Sequence, residues 1–349
     1  MPIVFGNMQR KAFFQLLDTF VQTPARIAVI THVNPDGDAI GSSLAFSQFL
    51  RKLGHDVEVM VSNDFPGFLA WMPGADKIHI YERESEQCNR ILDASECIAI
   101  MDFNHISRAG LIQDKLKTLD VPKILIDHHR DTDFGDFFCV LSETEVSSTA
   151  ELVAETVLHY GEQYLDEAIA TNILVGIMTD TGSFSHSIFH PETLSICSKL
   201  IGKSMPFNEV HRLVYDTFSE NRLRLLGFSI SNKMEVLDEY ATAIISLNKE
   251  ELASFDYQVG DTEGVVNFPL SMEKIAMSVL VTERQGVIRF SFRSKGKFSV
   301  HELAQKYFNG GGHTNAAGGT LNCSMEQALE QLHQILPEYR ESLINTLNP

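Results

Sequence analysis

Four short apolar runs, each followed closely by acidic or histidine residues, constrain this chain more than any other feature. The runs occupy 27–30, 97–101, 124–126 and 173–178. Behind them stand His32-Val33-Asn34-Pro35-Asp36-Gly37-Asp38, Asp102-Phe103-Asn104, Asp127-His128-His129 and Thr179-Asp180-Thr181-Gly182. The first three runs, brief and rich in branched side chains, predict strands of a parallel sheet buried on both faces. Ligands of open α/β sheets bind beyond the carboxyl ends of the strands. These Asp and His residues should therefore meet in one crevice, far apart as they are in sequence. Crowded carboxylates and imidazoles repel and desolvate one another unless a cation sits among them. The pattern predicts a metal site, with two ions rather than one.

Each signal alone has a plainer explanation. Asp36 with Gly37 suits a turn, Asp102 a helix cap or a surface ion pair, and a His-His pair means little by itself. What argues for a site is the shared placement behind buried elements. Oxygen donors with some imidazole and no thiolate favour Mn²⁺ or Mg²⁺ over structural zinc. Gly37 is expected to free the backbone for the turn that presents Asp36 and Asp38.

A chain of 349 residues exceeds one ordinary core, so two domains are expected, at 1–232 and 233–349. The first opens as a β-α-β unit: a strand, a tight loop, a helix over 39–53 stopped by Gly54, and a strand over 57–61. Ser148-Thr149-Ala150-Glu151 has capping-box spacing, and the pattern stays mostly helical to about Asn232. The polar stretch near residue 235 reads as the linker. Strand-like runs at 241–247, 276–282 and 287–293 and a helix over 300–308 then describe a smaller α+β domain. That domain carries Gly310-Gly311-Gly312-His313 and, in a strongly acidic chain, the basic set Arg289, Arg293, Lys295 and Lys297. Consecutive glycines can present N–H groups to an anion. A flexible hinge and a lysine-guarded edge strand remain the bland alternatives.

The net charge of −18 argues against a general basic surface for long or duplex nucleic acid. A short anionic substrate is still compatible, because metal ions and a few local cations can reverse the sign within a cleft. Five scattered cysteines without a C-x-x-C pair read as reduced thiols. With no run long enough to span a bilayer, the expectation is a cytoplasmic protein off the membrane. The oligomeric state stays open, a homodimer included.

Taken together these motifs resemble the DHH phosphoesterase family, closest to its subgroup of nanoRNA-degrading and 3′-phosphoadenosine 5′-phosphate phosphatases (the NrnA type). The resemblance covers 32–42, Asp102, 127–129, 147–151, 176–184, Arg293 and 310–318. It implies an α/β fold, a parallel-sheet DHH domain followed by a smaller α+β domain, with the active site in the cleft between them. It implies two divalent ions, Mn²⁺ or another such as Mg²⁺. His32, Asp36 and Asp102 would hold one, and Asp38, Asp102, His128 and Asp180 the other, with Asp102 bridging. His129 would lie beside the substrate phosphate, Asp127 would orient a histidine or the turn, and Arg293, Lys297, Gly311, Gly312 and His313 would grip the substrate. The implied activity is hydrolysis of short single-stranded oligonucleotides to mononucleotides, of a nucleoside bisphosphate, or of both. Rival readings are a cyclic or linear dinucleotide phosphodiesterase, a polyphosphate or pyrophosphate hydrolase, and a nucleotide sensor without catalysis. Asp133, where many relatives carry asparagine, and Phe184-Ser185-His186, where a basic residue often stands, depart from the family pattern.

Overall fold

A computed structural model describes residues 3–130, 132, 137–185, 190–284 and 286–347. Asp133 and His186 lie outside them. The chain divides into two compact units, Met1–Thr217 and Phe218–Pro349.

The first unit runs α1 (Ile3–Phe20), β1 (Arg26–Thr31), α2 (Gly37–Lys52), β2 (Asp56–Val61), β3 (His79–Ile80), α3 (Tyr81–Ala94), β4 (Cys97–Met101), α4 (Gln113–Thr118), β5 (Lys123–Asp127) and β6 (Cys139–Ser142). Helices α5 (Thr149–Tyr160), α6 (Glu167–Asp180), α7 (Pro191–Ile201) and α8 (Phe207–Tyr215) follow. All six strands pair in parallel, in the order β3-β2-β1-β4-β5-β6. Alternate strand residues feed two separate cores. Ile27, Val29, Ala99 and Ile126 pack with α2, α5 and α6, while Ala28, Ile30, Ile98 and Leu125 pack with Cys88, Leu92 and Leu116 on the other face. Burial on both faces is why these strands read as unbroken apolar runs. Strand order runs outward in opposite directions from β1 and β4, which makes the carboxyl ends of those two parallel strands the topological switch point. His32 follows β1 and Asp102 follows β4.

The second unit contains α9 (Glu220–Asn232), β7 (Met234–Leu237), β8 (Thr242–Leu247), α10 (Lys249–Ser254), β9 (Met277–Arg284), β10 (Val287–Ser294), α11 (Val300–Tyr307), β11 (Gly311–His313), β12 (Ala316–Leu321) and α12 (Met325–Thr346). Its sheet runs β11-β12-β10-β9-β8-β7, antiparallel except for the β8–β9 pair. Two local expectations differ from what the structure holds. The polar stretch near residue 235 is the edge strand β7, paired with β8, and its half-exposed side chains explain why it looked like a linker. Helix α9 contributes Leu225 to a core with Ile245, Leu247 and Leu280, so it packs within the second unit. The glycine-rich run is a hairpin of β11 and β12. A Cβ on Gly310 would meet Gly318 O, and one on Gly312, at φ +145°, would meet Ala316 O. The Gly312 N–H donates to His301 Nδ1 at 3.1 Å.

Candidate metal centre

Three helix ends converge beyond the switch point. At the start of α2, Asp36 caps the helix, its Oδ1 accepting from the N–H groups of Asp38 and Ala39 at 3.0 Å each. The turn reading of Asp36 is thus true of one oxygen. Gly37 does not take a left-handed conformation, contrary to the expected turn freedom. Its missing side chain matters because a Cβ would lie 2.3 Å from Thr179 Oγ1 on α6. Gly176 on α6 does the same from the other side, where a Cβ would sit 2.5 Å from Ala150 Cβ and 3.0 Å from Asp38 Oδ1. These glycines let α2, α5 and α6 close on one another.

That closeness brings the N-terminus of α5 onto Asp38. Its Oδ2 accepts from Thr149 N–H at 2.7 Å and its Oδ1 from Ala150 N–H at 2.8 Å, donors that a helix start leaves unused. The Thr149 hydroxyl donates to Asp102 Oδ1 at 2.8 Å. Ser148 caps α5 as its spacing predicts, accepting from Glu151 N–H, while the Glu151 carboxylate reaches one residue further back, to Ser147 N–H. Asp102 has φ +65°, a left-handed conformation uncommon outside glycine, which aims its carboxylate among the imidazoles. Asp180 ends α6, where the helix dipole disfavours an anion. Its Oδ2 lies 3.5 Å from His128 Nε2.

The distances gather the remaining predicted residues. His32 Nε2 is 3.4 Å from Asp102 Oδ2, and its Nδ1 contacts Val33 O at 3.0 Å. A proton on Nδ1 satisfies that carbonyl and leaves Nε2 as a lone-pair donor, as metal-ligating histidines require. His128 Nε2 lies 3.6 Å from Asp102 Oδ1 and 3.8 Å from Asp38 Oδ2. His129 Nδ1 binds Asp127 Oδ1 at 2.7 Å. Within the first unit, three overlapping sets could therefore hold a cation: His32, Asp36 and Asp102; Asp38, Asp102 and His128; and Asp102, Asp127 and His129. Asp102 belongs to all three. Arg293, Lys297, Gly311, Gly312 and His313 belong to the second unit: Arg293 on β10, Lys297 exposed after it, and the other three in β11.

Electrostatics agree with a cation-binding set. Burial, reinforced by Asp102, Asp180 and Asp36, pushes the Asp38 carboxyl well above its usual range. Burial also opposes ionisation of Asp102, but the His32 hydrogen bond and the charges of His129, His32 and His128 pull it down on balance. Burial disfavours protonated His128, yet Asp180, Asp102, Asp127 and Asp36 outweigh it and the net shift is upward. For His129, burial together with Arg108 prevails over Asp127 and lowers the imidazole. Among the described residues, the ion-pair partners of Asp38 and Asp102 are imidazoles, with no Lys or Arg. Asp127 is fully buried and its Oδ2 has no hydrogen-bond partner. Excess buried carboxylate, imidazoles whose Nε2 atoms face carboxylates and an orphaned carboxylate oxygen fit a divalent ion well. Sequence reasoning missed Thr149 as a support for Asp102, although it stands inside the segment marked as a helix cap.

A doubly wound parallel sheet with carboxylates and imidazoles at its switch point defines a metal-dependent hydrolase of the α/β class. Residues 26–177 match the DHH family, N-terminal domain, and 239–339 match the DHHA1 domain. The bifunctional oligoribonuclease and PAP phosphatase NrnA of Thermus thermophilus is 30% identical, over 91% of this chain and 90% of that protein. The protein of the same description from Bacillus subtilis is 28% identical over 83% and 87%. A crystal structure of an exopolyphosphatase-related protein from Bacteroides fragilis superposes with a TM-score of 0.88 at 39% identity, covering 95% of this chain and 98% of that one. The chain belongs to the DHH family and is a metal-dependent phosphoesterase.

Proposed function

We propose that the chain hydrolyses oligoribonucleotides of a few nucleotides to mononucleotides, and 3′-phosphoadenosine 5′-phosphate to AMP and phosphate, with two Mn²⁺ ions. The observation that carries the two-ion reading is the membership of Asp102 in three overlapping ligand sets. In it, His32, Asp36 and Asp102 hold one ion, Asp38, Asp102, His128 and Asp180 the other, and Asp102 bridges. When bound, the ions supply positive charge to the phosphoryl oxygens and acidify the attacking water. The substrate class follows from the relatives named above and from a net charge of −18, which offers long or duplex nucleic acid no continuous basic track.

The chain's own groups then have distinct tasks. Thr149 and the α5 N–H groups orient Asp102 and Asp38. Asp127 fixes the proton of His129 on Nδ1, so that Nε2 is the atom at which a proton can be taken up near the phosphate, and Asp127 would stabilise the imidazolium formed. Arg293, Lys297, Gly311, Gly312 and His313 are proposed substrate contacts, supported by the charge of the first two and the bare backbone of the glycines. A cytoplasmic location accompanies this reading, supported by the five free cysteines.

Initial rates with Mn²⁺ on a dinucleotide, a tetranucleotide, a twenty-mer and adenosine bisphosphate test the proposal. The short substrates should be hydrolysed fastest, with a shallow salt dependence. A twenty-mer degraded fastest, with steep salt sensitivity, would refute it. The description of the Bacteroides fragilis structure favours a second reading, hydrolysis of inorganic polyphosphate. Rapid polyphosphate turnover that adenosine bisphosphate does not inhibit would select that reading instead.

A further inference from the structure

The carboxylate of Glu151 is buried, and among the described residues it is bonded by one backbone N–H and one hydroxyl, with no Lys or Arg. Its Oε2 accepts from Ser147 N–H at 2.9 Å. The hydroxyl of Thr193, in the first turn of α7, donates to both of its oxygens, at 3.0 Å to Oε1 and 3.1 Å to Oε2. Thr193 is fully buried, and its own oxygen accepts from His190 N–H at 3.1 Å. With that oxygen occupied, the hydroxyl spends its one proton on Glu151.

The backbone donors at the start of α5 are divided with no surplus. Thr149 and Ala150 give theirs to Asp38, Glu151 gives its own to the Ser148 cap, and Ser147 gives its own to the Glu151 carboxylate. Helix starts usually leave such donors to water or to a local cap. Here two of them hold a carboxylate from α2, so the direction of Asp38 depends on where residues 147–150 stand. Glu151 fixes that position through Ser147, and Thr193 fixes Glu151 from a helix 42 residues further along the chain. Losing either bond is costly, because it leaves a buried carboxylate short of donors.

We infer that Thr193 and Glu151 are positioning residues of the metal centre. They set the N–H groups of α5 against Asp38 and the Thr149 hydroxyl against Asp102, acting through residues 147–150 and not as ligands. The inference rests on the two-ion reading given above.

The test uses the full chain stripped of metal and titrated with Mn²⁺ by calorimetry, as wild type, Thr193→Val, Thr193→Ser and Glu151→Gln. Steady-state rates on a dinucleotide are taken over a range of Mn²⁺, and the thermal midpoint of each apoprotein is recorded. Valine keeps the volume but has no proton to give, so Thr193→Val should bind Mn²⁺ about tenfold more weakly. At saturating Mn²⁺ kcat should return to the wild-type value with KM unchanged, because no substrate contact is altered. Thr193→Ser restores the hydroxyl and should bind Mn²⁺ as the wild type does. Glu151→Gln keeps the shape but accepts at one oxygen only, and should weaken Mn²⁺ binding by a similar factor. A role confined to the stability of α7 would lower the midpoint and leave Mn²⁺ affinity, measured well below it, where it was.

Folded Thr193→Val and Glu151→Gln proteins with wild-type Mn²⁺ affinity would overturn the inference, whatever their midpoints. So would loss of the fold in both, which would make the pair part of the scaffold. If only one of them fails to fold, the other decides. Equally weak binding in Thr193→Ser and Thr193→Val would also overturn it, since the hydroxyl would then not be the group that matters. A wild type that binds no Mn²⁺ removes the two-ion reading and this inference with it, whereas normal binding in the wild type and both variants removes the inference alone.

Discussion

The two six-stranded sheets of this molecule place their polar residues in opposite ways. In the first unit the central strands β1, β4 and β5 are covered on both faces, and the candidate ligands stand where those strands end, at His32, Asp102 and the Asp127-His128-His129 turn. In the second unit β10 alternates: Ile288, Phe290, Phe292 and Ser294 are buried, while Arg289, Ser291 and Arg293 are half-exposed between them. A strand end delivers several donors to one point from residues distant in sequence. An alternating strand delivers a row of similar groups along a face. The first arrangement suits a metal centre, where ligand geometry is demanding, and the second suits contacts with an extended anion. The comparison teaches that damage to the first unit should abolish turnover, whereas damage to the second should weaken it.

Asp102→Asn tests the stronger half of that statement. The amide keeps the shape but removes the charge shared by three ligand sets. Activity should fall well beyond the about 10–100-fold that loss of an outer-sphere partner brings. Mn²⁺ content should drop, while circular dichroism stays that of the wild type. A folded Asp102→Asn protein with normal turnover at saturating Mn²⁺ would break the comparison at its centre. Arg293→Ala tests the other half. It should cost about 1.5–3 kcal/mol in kcat/KM, the worth of a charge-assisted bond, and leave Mn²⁺ content unchanged. Loss of Mn²⁺ in that variant would erase the division between the sheets.

Thr149→Val sharpens the picture within the first unit. Valine keeps the volume but cannot donate to Asp102 Oδ1, now bonded at 2.8 Å. Mn²⁺ affinity should weaken by about tenfold, the lower end for an outer-sphere partner. Maximal activity should return at high Mn²⁺, a rescue that a direct ligand loss would not allow. Calorimetric titration of the apoprotein with Mn²⁺ distinguishes the two.

The degree to which this site could be read in advance follows from the same contrast. Strands β1, β4 and β5 are unbroken branched-apolar runs because both faces are covered, and the residues behind them were legible for that reason. The short edge strands β3 and β6 carry too few residues to show a period, and β7 hides in a polar stretch. The role of Gly37 was misread because the reason for it, the Thr179 side chain, stands on a helix far along the chain. Thr149 acts through a contact that no local pattern encodes. The bond from Thr149 to Asp102 spans 47 residues. Residue types at strand ends were legible, and the groups that orient them were not.

The smallest predicted effect lies away from the metal centre, where α1 meets β6 and α5. Arg10 is gripped by both oxygens of Glu143 and also binds Glu155 Oε2 at 2.6 Å through Nη1. The two partners pull differently. Arg10 is driven further toward its charged form, whereas Glu155 is pushed up to about 7, by burial first and then by the charges of Glu151 and Glu143, against the pull of Arg10. One guanidinium already committed to Glu143 leaves Glu155 as the surplus carboxylate. Folded Glu155 thus keeps a proton that the unfolded chain releases near pH 4.5. Its contribution to stability is fully present below that point and is lost as pH rises through about 7. Glu155→Gln removes the titration while keeping a hydrogen-bonding side chain. The variant should therefore flatten the fall in thermal midpoint between about pH 5 and pH 8, leaving it a few degrees above wild type at the alkaline end. Midpoints measured in Mn²⁺-free buffer isolate this from the metal centre. A wild type and a variant with parallel pH profiles would show that Glu155 ionises in the fold as it does in water, and that Arg10 neutralises both carboxylates after all.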